Sequence, residues 1–316
     1  MERSIVAVFA DPNPLSVNLI ETLLANFCRV KIISEDKRGW KASTRHLRKN
    51  ESLDFLGDKA LSFDYAVFIS ACFNKKPGGV ESRKEKGRVS TTISLAKENK
   101  AKCLLVFPYI QSPCSNTSLV FVKEVLRKKE NELGVVYVGE LFGPRMFLDG
   151  RNGVAQALGD FILKKQVSFT EEAIYLFPTY IPSVSKALVK SLFSFGNIGE
   201  EVVLCSEKIS SKNFSGLFKK INPQITLIRQ SGSLIKRYET DKQISLSTNL
   251  EKAIKETLSW FIKYKPEELK VLPEPKQREV KQRKSKVSLP KWGWVAVTAF
   301  LIFILSPFFF LLLGAS

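Results

Sequence analysis

Short unbroken apolar runs alternate, in the first half of this chain, with longer stretches whose apolar residues recur at helical spacing. Residues 4–9 form the first run. Over 15–26, Leu15, Leu19, Ile20 and Leu23 fall at intervals of one to four, as one buried helix face requires. The same alternation predicts strands at 29–34, 64–70, 103–107 and 134–141 and helices at 89–97 and 117–129. Strands alternating with helices imply βαβ units and a parallel sheet covered on both faces. Right-handed crossovers then make that sheet doubly wound. Shorter elements follow: strands at 172–177, 201–205 and 224–229, helices at 183–193, 211–220 and 249–263. The expected fold class is α/β: a doubly wound, Rossmann-like parallel sheet over residues 1–265, with a small C-terminal α/β lobe of substrate-binding type mixed in from about residue 167.

The pattern changes beyond residue 265. Residues 266–288 are rich in Lys, Glu, Pro and Gln with almost no large apolar side chains, the composition of a flexible linker. Residues 292–313 are uncharged and apolar throughout. As a helix this run would span roughly 33 Å, enough for a hydrocarbon core of about 30 Å. Trp292 and Trp294 sit where an interfacial aromatic belt belongs. Between residues 276 and 291 there are seven Lys/Arg against one acid, Glu279. One transmembrane helix at 292–313 is therefore expected, preceded by a basic linker at 266–291. The positive-inside rule places the first 275 residues in the cytoplasm and leaves 314–316 outside, as in a single-pass cell-membrane protein. No leader is read at Met1-Glu2-Arg3-Ser4.

Charge adds detail. The formal net charge is +18; the collar contributes seven bases minus one acid, or +6, leaving +12 elsewhere. Two further basic stretches, 37–49 and 75–88, read first as solvated loops and next as surfaces drawn to anionic lipid head groups. A nucleic-acid partner is not expected, because no binding motif accompanies the charge. Five scattered cysteines without a Cys-x-x-Cys pair, and the lone His46, support neither a disulfide framework nor a metal site.

More specific signals lie in three segments. Glu140-Leu-Phe-Gly-Pro-Arg-Met146 resembles the loop after the sixth strand of the extended short-chain dehydrogenase/reductases, the NAD-dependent nucleotide-sugar epimerases, dehydratases and decarboxylases. Residues 247–261, with Leu250-Glu251, Ile254, Thr257 and Trp260-Phe261, are similar to that family's last helix, and 180–188 falls where it has a further helix motif. In order and spacing the resemblance covers 4–264.

The resemblance implies a glycine-rich first turn for the cofactor pyrophosphate, but the three glycine positions here are Ala10, Asn13 and Ser16. Asp11 adds a carboxylate beside the helix that Asn13 and Pro14 begin, complementing its dipole and repelling a phosphate. The ribose-binding acid aligns with Ser34, with Glu35 and Asp36 as neighbours able to substitute in part. The residues that would face a dinucleotide are thus Ala10, Asp11, Asn13, Leu15, Ser34 and Glu35, with Pro144 and Arg145 after the sixth strand; Arg145 reads equally as a phosphate contact or a structural ion-pair partner. The family's catalytic Tyr-x-x-x-Lys aligns with Leu119 and Lys123, so the Lys remains while the acid/base position is aliphatic. The hydroxyl residue of the preceding strand aligns with Phe107-Pro108, and Tyr109 is the nearest substitute, though a packing residue on general grounds.

No catalytic residue and no cofactor are expected on this reading; NAD(P) is the cofactor the family implies. The expected function is a membrane-anchored, catalytically inactive relative of the nucleotide-sugar enzymes, acting as a binding or scaffold module for an unknown partner protein, in a setting such as envelope polysaccharide assembly. The alternative is an active NAD-dependent epimerase or dehydratase with relocated residues. The apolar positions of 117–129 permit a homodimer without requiring one.

Overall fold

A computed structural model describes residues 3–56, 62–73, 82–111, 113–128, 132–148, 152–169, 175–194, 201–229, 237–238 and 242–265. All of them fall within one compact unit, Met1–Leu272. The expected linker and span, 266–291 and 292–313, lie outside the described residues; within these, no helix is long and apolar enough to cross a membrane.

The first half winds β1 (Ile5–Phe9), α1 (Pro14–Ala25), β2 (Arg29–Ile33), α2 (Lys37–Ser43), β3 (Leu53–Leu56), β4 (Tyr65–Ile69), α3 (Ser82–Glu98), β5 (Lys102–Pro108), α4 (Pro113–Lys128) and β6 (Leu133–Val138). Then come β7 (Glu140–Phe142), α5 (Gly153–Lys164), β8 (Gln166–Phe169), β9 (Tyr175–Leu176), β10 (Pro178–Tyr180), α6 (Ile181–Ser194), β11 (Glu201–Cys205), β12 (Ile209–Ser210), α7 (Ser211–Ile221), β13 (Thr226–Arg229), β14 (Gln243–Ser245) and α8 (Leu250–Tyr264). Eight strands form one sheet in the order β14-β11-β6-β5-β4-β1-β2-β3, every pair parallel. Strand order reverses between β1 and β4, and the crevice beyond their C-terminal ends is where such sheets take ligands.

Alternate strand residues feed two cores. Val6, Val8, Val30, Val67 and Val106 pack with α1, α5, α6, α7 and α8 on one face. Ala7, Phe9, Phe68, Leu105 and Phe107 pack with α3 and α4 on the other. Both faces are dry, which is why the strands read as continuous apolar runs. The smaller lobe holds three two-stranded pairs, β7–β10, β8–β13 and β9–β12. The expected α/β class and its C-terminal lobe are both present.

Three differences from the sequence expectation have physical causes. The run read as one strand over 134–141 is two, because Gly139 brings the backbone close to its neighbours: a Cβ there would stand 2.7 Å from the Phe177 carbonyl oxygen. The basic stretch from residue 37 is helical rather than a loop. Asp36 caps it by accepting from the Gly39 N–H at 2.8 Å, and Trp40 anchors it in the core. Helix α3 begins seven residues before the expected position 89, since its first two turns are polar and carry no periodic signal. Strands β3, β8 and β14 and helix α5 were not anticipated.

Helix α1 ends on Phe27, a non-glycine residue in the left-handed region (φ 60°) and 76% exposed. Glycine holds this conformation without a Cβ penalty. Phe27→Gly should therefore stabilise the fold by about 1 kcal/mol, measured by urea unfolding.

Candidate functional site

The turn from β1 to α1 sits at the strand-order reversal, where a dinucleotide pyrophosphate would meet a helix N-terminus. Two of its backbone N–H groups are used within the turn itself. Asn13 accepts from the Ser16 N–H at 2.8 Å, and the Asn13 N–H donates to Ser16 Oγ at 2.9 Å, a reciprocal capping box. Pro14 has no N–H to offer. Ser16 Oγ also donates to the Asp11 carbonyl at 3.0 Å. Two of the three substituted glycine positions thus close the turn on itself, and the third, Ala10, is fully buried.

An internal ion pair fills the charge position. Arg88, projecting from α3, donates to Asp11 Oδ2 at 2.8 Å, and Ser34 donates to Asp11 Oδ1 at 3.2 Å. The Arg88 guanidinium also lies over the Phe68 ring, 5.9 Å from its centroid. Behind it Glu85, 1% exposed, accepts from the Ala71 N–H at 3.1 Å. Burial pushes the Glu85 carboxyl above its usual range; hydrogen bonds from Ser70 and Ala71 and the charge of Arg88 pull the other way. A carboxyl raised by folding binds its proton more tightly when folded, so this contribution to stability declines as pH climbs from the ordinary carboxylate range through the raised value. Glu85→Gln should lose that slope: its stability relative to the parent should rise as pH climbs upward from the ordinary carboxylate range, followed in a denaturation series.

Helix α2 closes the other flank of this turn. Trp40 is fully buried and its Nε1–H donates to the Ala10 carbonyl at 2.9 Å. Of the residues expected to face a dinucleotide, Asp11, Asn13 and Ser34 do meet in this turn. Leu15 does not: it is wholly buried in the α1 core and has no surface to offer a ligand. Glu35 is exposed. Arg145 is an ion-pair partner, its two Nη atoms donating to the Glu21 carboxylate of α1 at 2.9 and 2.8 Å, with Glu21 also bonded to His46 at 2.6 Å. Pro144 precedes it, half-buried, in the turn after β7.

The positions that the resemblance aligns with a catalytic Tyr and Lys, Leu119 and Lys123, both make contacts within the chain. Leu119 is 3% exposed and packs in the α3/α4 core with Phe107 and Tyr137. Lys123 reaches Glu201 Oε1 at 3.9 Å, and that carboxylate also accepts from the Tyr137 hydroxyl at 3.3 Å. The lysine is therefore tied to β11 on the flank of the sheet. Tyr109 stacks edge-on against Phe177, ring centroids 5.5 Å apart. Residues Arg237 and Tyr238 lie across this end of β5: the Tyr238 N–H donates to the Tyr109 carbonyl at 3.2 Å and Gln111 donates to the Arg237 carbonyl at 2.8 Å. The Tyr238 ring stacks on Tyr137, and its hydroxyl donates to Asn116 at 2.6 Å.

Glu140 and Arg237 escaped the sequence reading as a pair. Glu140 is 2% exposed; it accepts from the Phe177 N–H at 2.8 Å and stands 3.7 Å from Arg237 Nη2. Burial raises its carboxyl, opposed by the Phe177 N–H and Arg237. Arg237 also donates to the Tyr175 carbonyl at 2.6 Å and covers the Phe177 ring at 4.9 Å. A buried Glu opening a loop motif is the one signal that could have marked this position. Among the described residues no His, Cys, Asp and Glu cluster could hold a metal.

Three arginines thus surround the ligand side of the fold, and each faces a carboxylate of the chain itself: Arg88 with Asp11, Arg145 with Glu21, Arg237 with Glu140. A dinucleotide does not fit this arrangement. Its pyrophosphate would have to displace a capping box and compete with Asp11 for Arg88.

The sheet order and the position of this crevice define a Rossmann-type fold. Solved structures bear this out at the level of fold. UDP-N-acetylglucosamine 4-epimerase from Methanobrevibacter ruminantium superimposes with a TM-score of 0.67 at 15% identity, covering 83% of this chain and 99% of its own. The dTDP-glucose 4,6-dehydratase of Bacillus anthracis, in complex with NAD, gives 0.65 at 11% identity over 83% of this chain and 98% of that one. UDP-glucuronic acid 4-epimerase from Bacillus cereus, in complex with UDP-glucuronic acid and NAD, gives 0.64 at 14% identity over 82% and 99%. No protein-family model matches the sequence, and no curated protein sequence does.

Proposed function

We propose that the chain is a membrane-tethered, catalytically silent derivative of the nucleotide-sugar epimerase and dehydratase fold. It serves as a binding or scaffold module at the cytoplasmic face, in a setting such as envelope polysaccharide assembly. The observation that carries this reading is the Asp11–Arg88 pair, 2.8 Å apart in the turn that would cradle a pyrophosphate. Leu119 at the acid/base position supports it: an aliphatic side chain exchanges no proton. The uncharged run at 292–313 and its basic collar support the tether. The active-enzyme alternative draws on the Bacillus structures, which hold NAD in the same fold.

Thermal unfolding of the full chain in nanodiscs, with and without NAD, NADP and UDP-sugars, separates the two. A ligand at ~100 times its dissociation constant adds about 2.7 kcal/mol. No shift with either dinucleotide is the expected result. A clear NAD shift would overturn silence and reinstate the enzyme; a shift with UDP-sugar alone would make the module a sugar-nucleotide sensor or carrier. Release of the chain from membranes by alkaline carbonate would remove the tether.

A further inference from the structure

Helix α2, the 3-10 turn that follows, Arg45–Leu47, and the two residues after it carry six exposed cations: Lys37, Arg38, Lys41, Arg45, Arg48 and Lys49. No acid occurs between residues 37 and 49, and among the described residues none of the six is ion-paired to a carboxylate. This sets them apart from the three crevice arginines, each of which is neutralised. The carboxylates bordering the stretch are partly used: Asp36 caps α2, and Glu21 is held by Arg145 and His46. Glu35 and Glu51 flank it in sequence. The core side of α2 is pinned by Trp40, so the cations are presented on a fixed frame.

The same edge carries the end of α8. A cleft of ≈ 440 Å³ is lined by Ser43 at the end of α2, by Trp260 and Lys265 at the end of α8, and by Asn13, Pro14 and Arg145 of the crevice described above. Beside it Tyr264 is 54% exposed, its ring 5.4 Å from that of Trp260, with Lys263 over its face at 5.0 Å. Cations framing amphipathic aromatic rings suit the headgroup zone of a bilayer, where rings sit at the interface and ammonium and guanidinium groups meet lipid phosphates. Only 26 residues, 266–291, separate this edge from the apolar run, so it stays within about 90 Å of the bilayer whatever their conformation.

We infer that the edge formed by α2, its following 3-10 turn and the end of α8 is a docking surface for an anionic lipid bilayer. The inference rests on the tether of the proposed function, and the test separates the two. The full chain is placed in nanodiscs of pure phosphatidylcholine or with roughly 30% phosphatidylglycerol, and single-hit acetylation of lysines is followed by mass spectrometry. On anionic discs Lys37, Lys41 and Lys49 should react at least about ten-fold more slowly than on neutral discs, and high salt should abolish the difference. Lys86 and Lys100, exposed on the α3 side of the sheet, should react equally on both. The triple variant K41E/R45E/R48E should lose the protection of Lys37 and Lys49. Equal rates on the two discs, with the chain retained in them, would overturn the docking surface and leave the tether standing. A chain that does not enter discs would overturn the tether. Protection by an added RNA on neutral discs, with none from anionic lipid, would reassign the surface to nucleic acid.

Discussion

Trp40→Ala should be the most damaging single truncation on the ligand side of this fold. The indole is fully buried, and truncating such a ring costs about 3–5 kcal/mol through lost transfer energy and the cavity left behind. The Ala10 carbonyl would also lose the Nε1–H donor at 2.9 Å, roughly 1 kcal/mol more. Against a total of ~5–15 kcal/mol for a domain, this is about a quarter of the stability or more. Urea unfolding would show it as an earlier midpoint. Trp40→Phe, which keeps most of the bulk and drops the hydrogen bond, should fall well short of the alanine change. Equal losses for both variants would mean that the donor, not the packing, holds α2 in place.

The second large effect is expected at Glu140. Its truncation to alanine strands the Arg237 guanidinium, whose side chain is 18% exposed, and leaves the Phe177 N–H without its acceptor. Breaking a buried pair from one side typically costs ~3–5 kcal/mol. The double change Glu140→Leu with Arg237→Leu removes both charges together. It should be much milder than Glu140→Ala, because charge burial and mutual attraction nearly cancel in such pairs. Thermal denaturation of Glu140→Leu, Arg237→Leu and the double completes the cycle. A double variant as unstable as the sum of its singles would show that the two residues act separately.

The sheet was legible because buried parallel strands are almost wholly apolar. Ile5–Phe9, Lys102–Pro108 and Glu201–Cys205 announce themselves without help from their neighbours. Helix α8 was equally clear from Leu250, Ile254, Leu258 and Phe261 at helical intervals. Helix α2 was hidden for the opposite reason. Three cations surround a single core residue, Trp40, and one apolar side chain sets no period. The loss of glycines at 10, 13 and 16 could be read directly. What replaced them could not, since Arg88 meets Asp11 across 77 residues and Arg145 meets Glu21 across 124. Charge pairing between distant segments follows no sequence spacing. That is also why Glu140 read as part of a loop motif and not as the partner of Arg237.

The paired arginines bear on ancestry as well as on chemistry. Suppose a chain of this fold were to regain a phosphate-binding turn by small steps. Removing Asp11 alone would leave Arg88 facing Glu85, and restoring glycine at 13 or 16 alone would break a capping box while Asp11 still barred the ligand. Each first step lowers stability before any binding is gained. With margins of only a few kcal/mol, selection would remove such intermediates. In such a chain the Asp11–Arg88 pair and the capping box would act as a ratchet, leaving every opening move toward a cofactor site uphill.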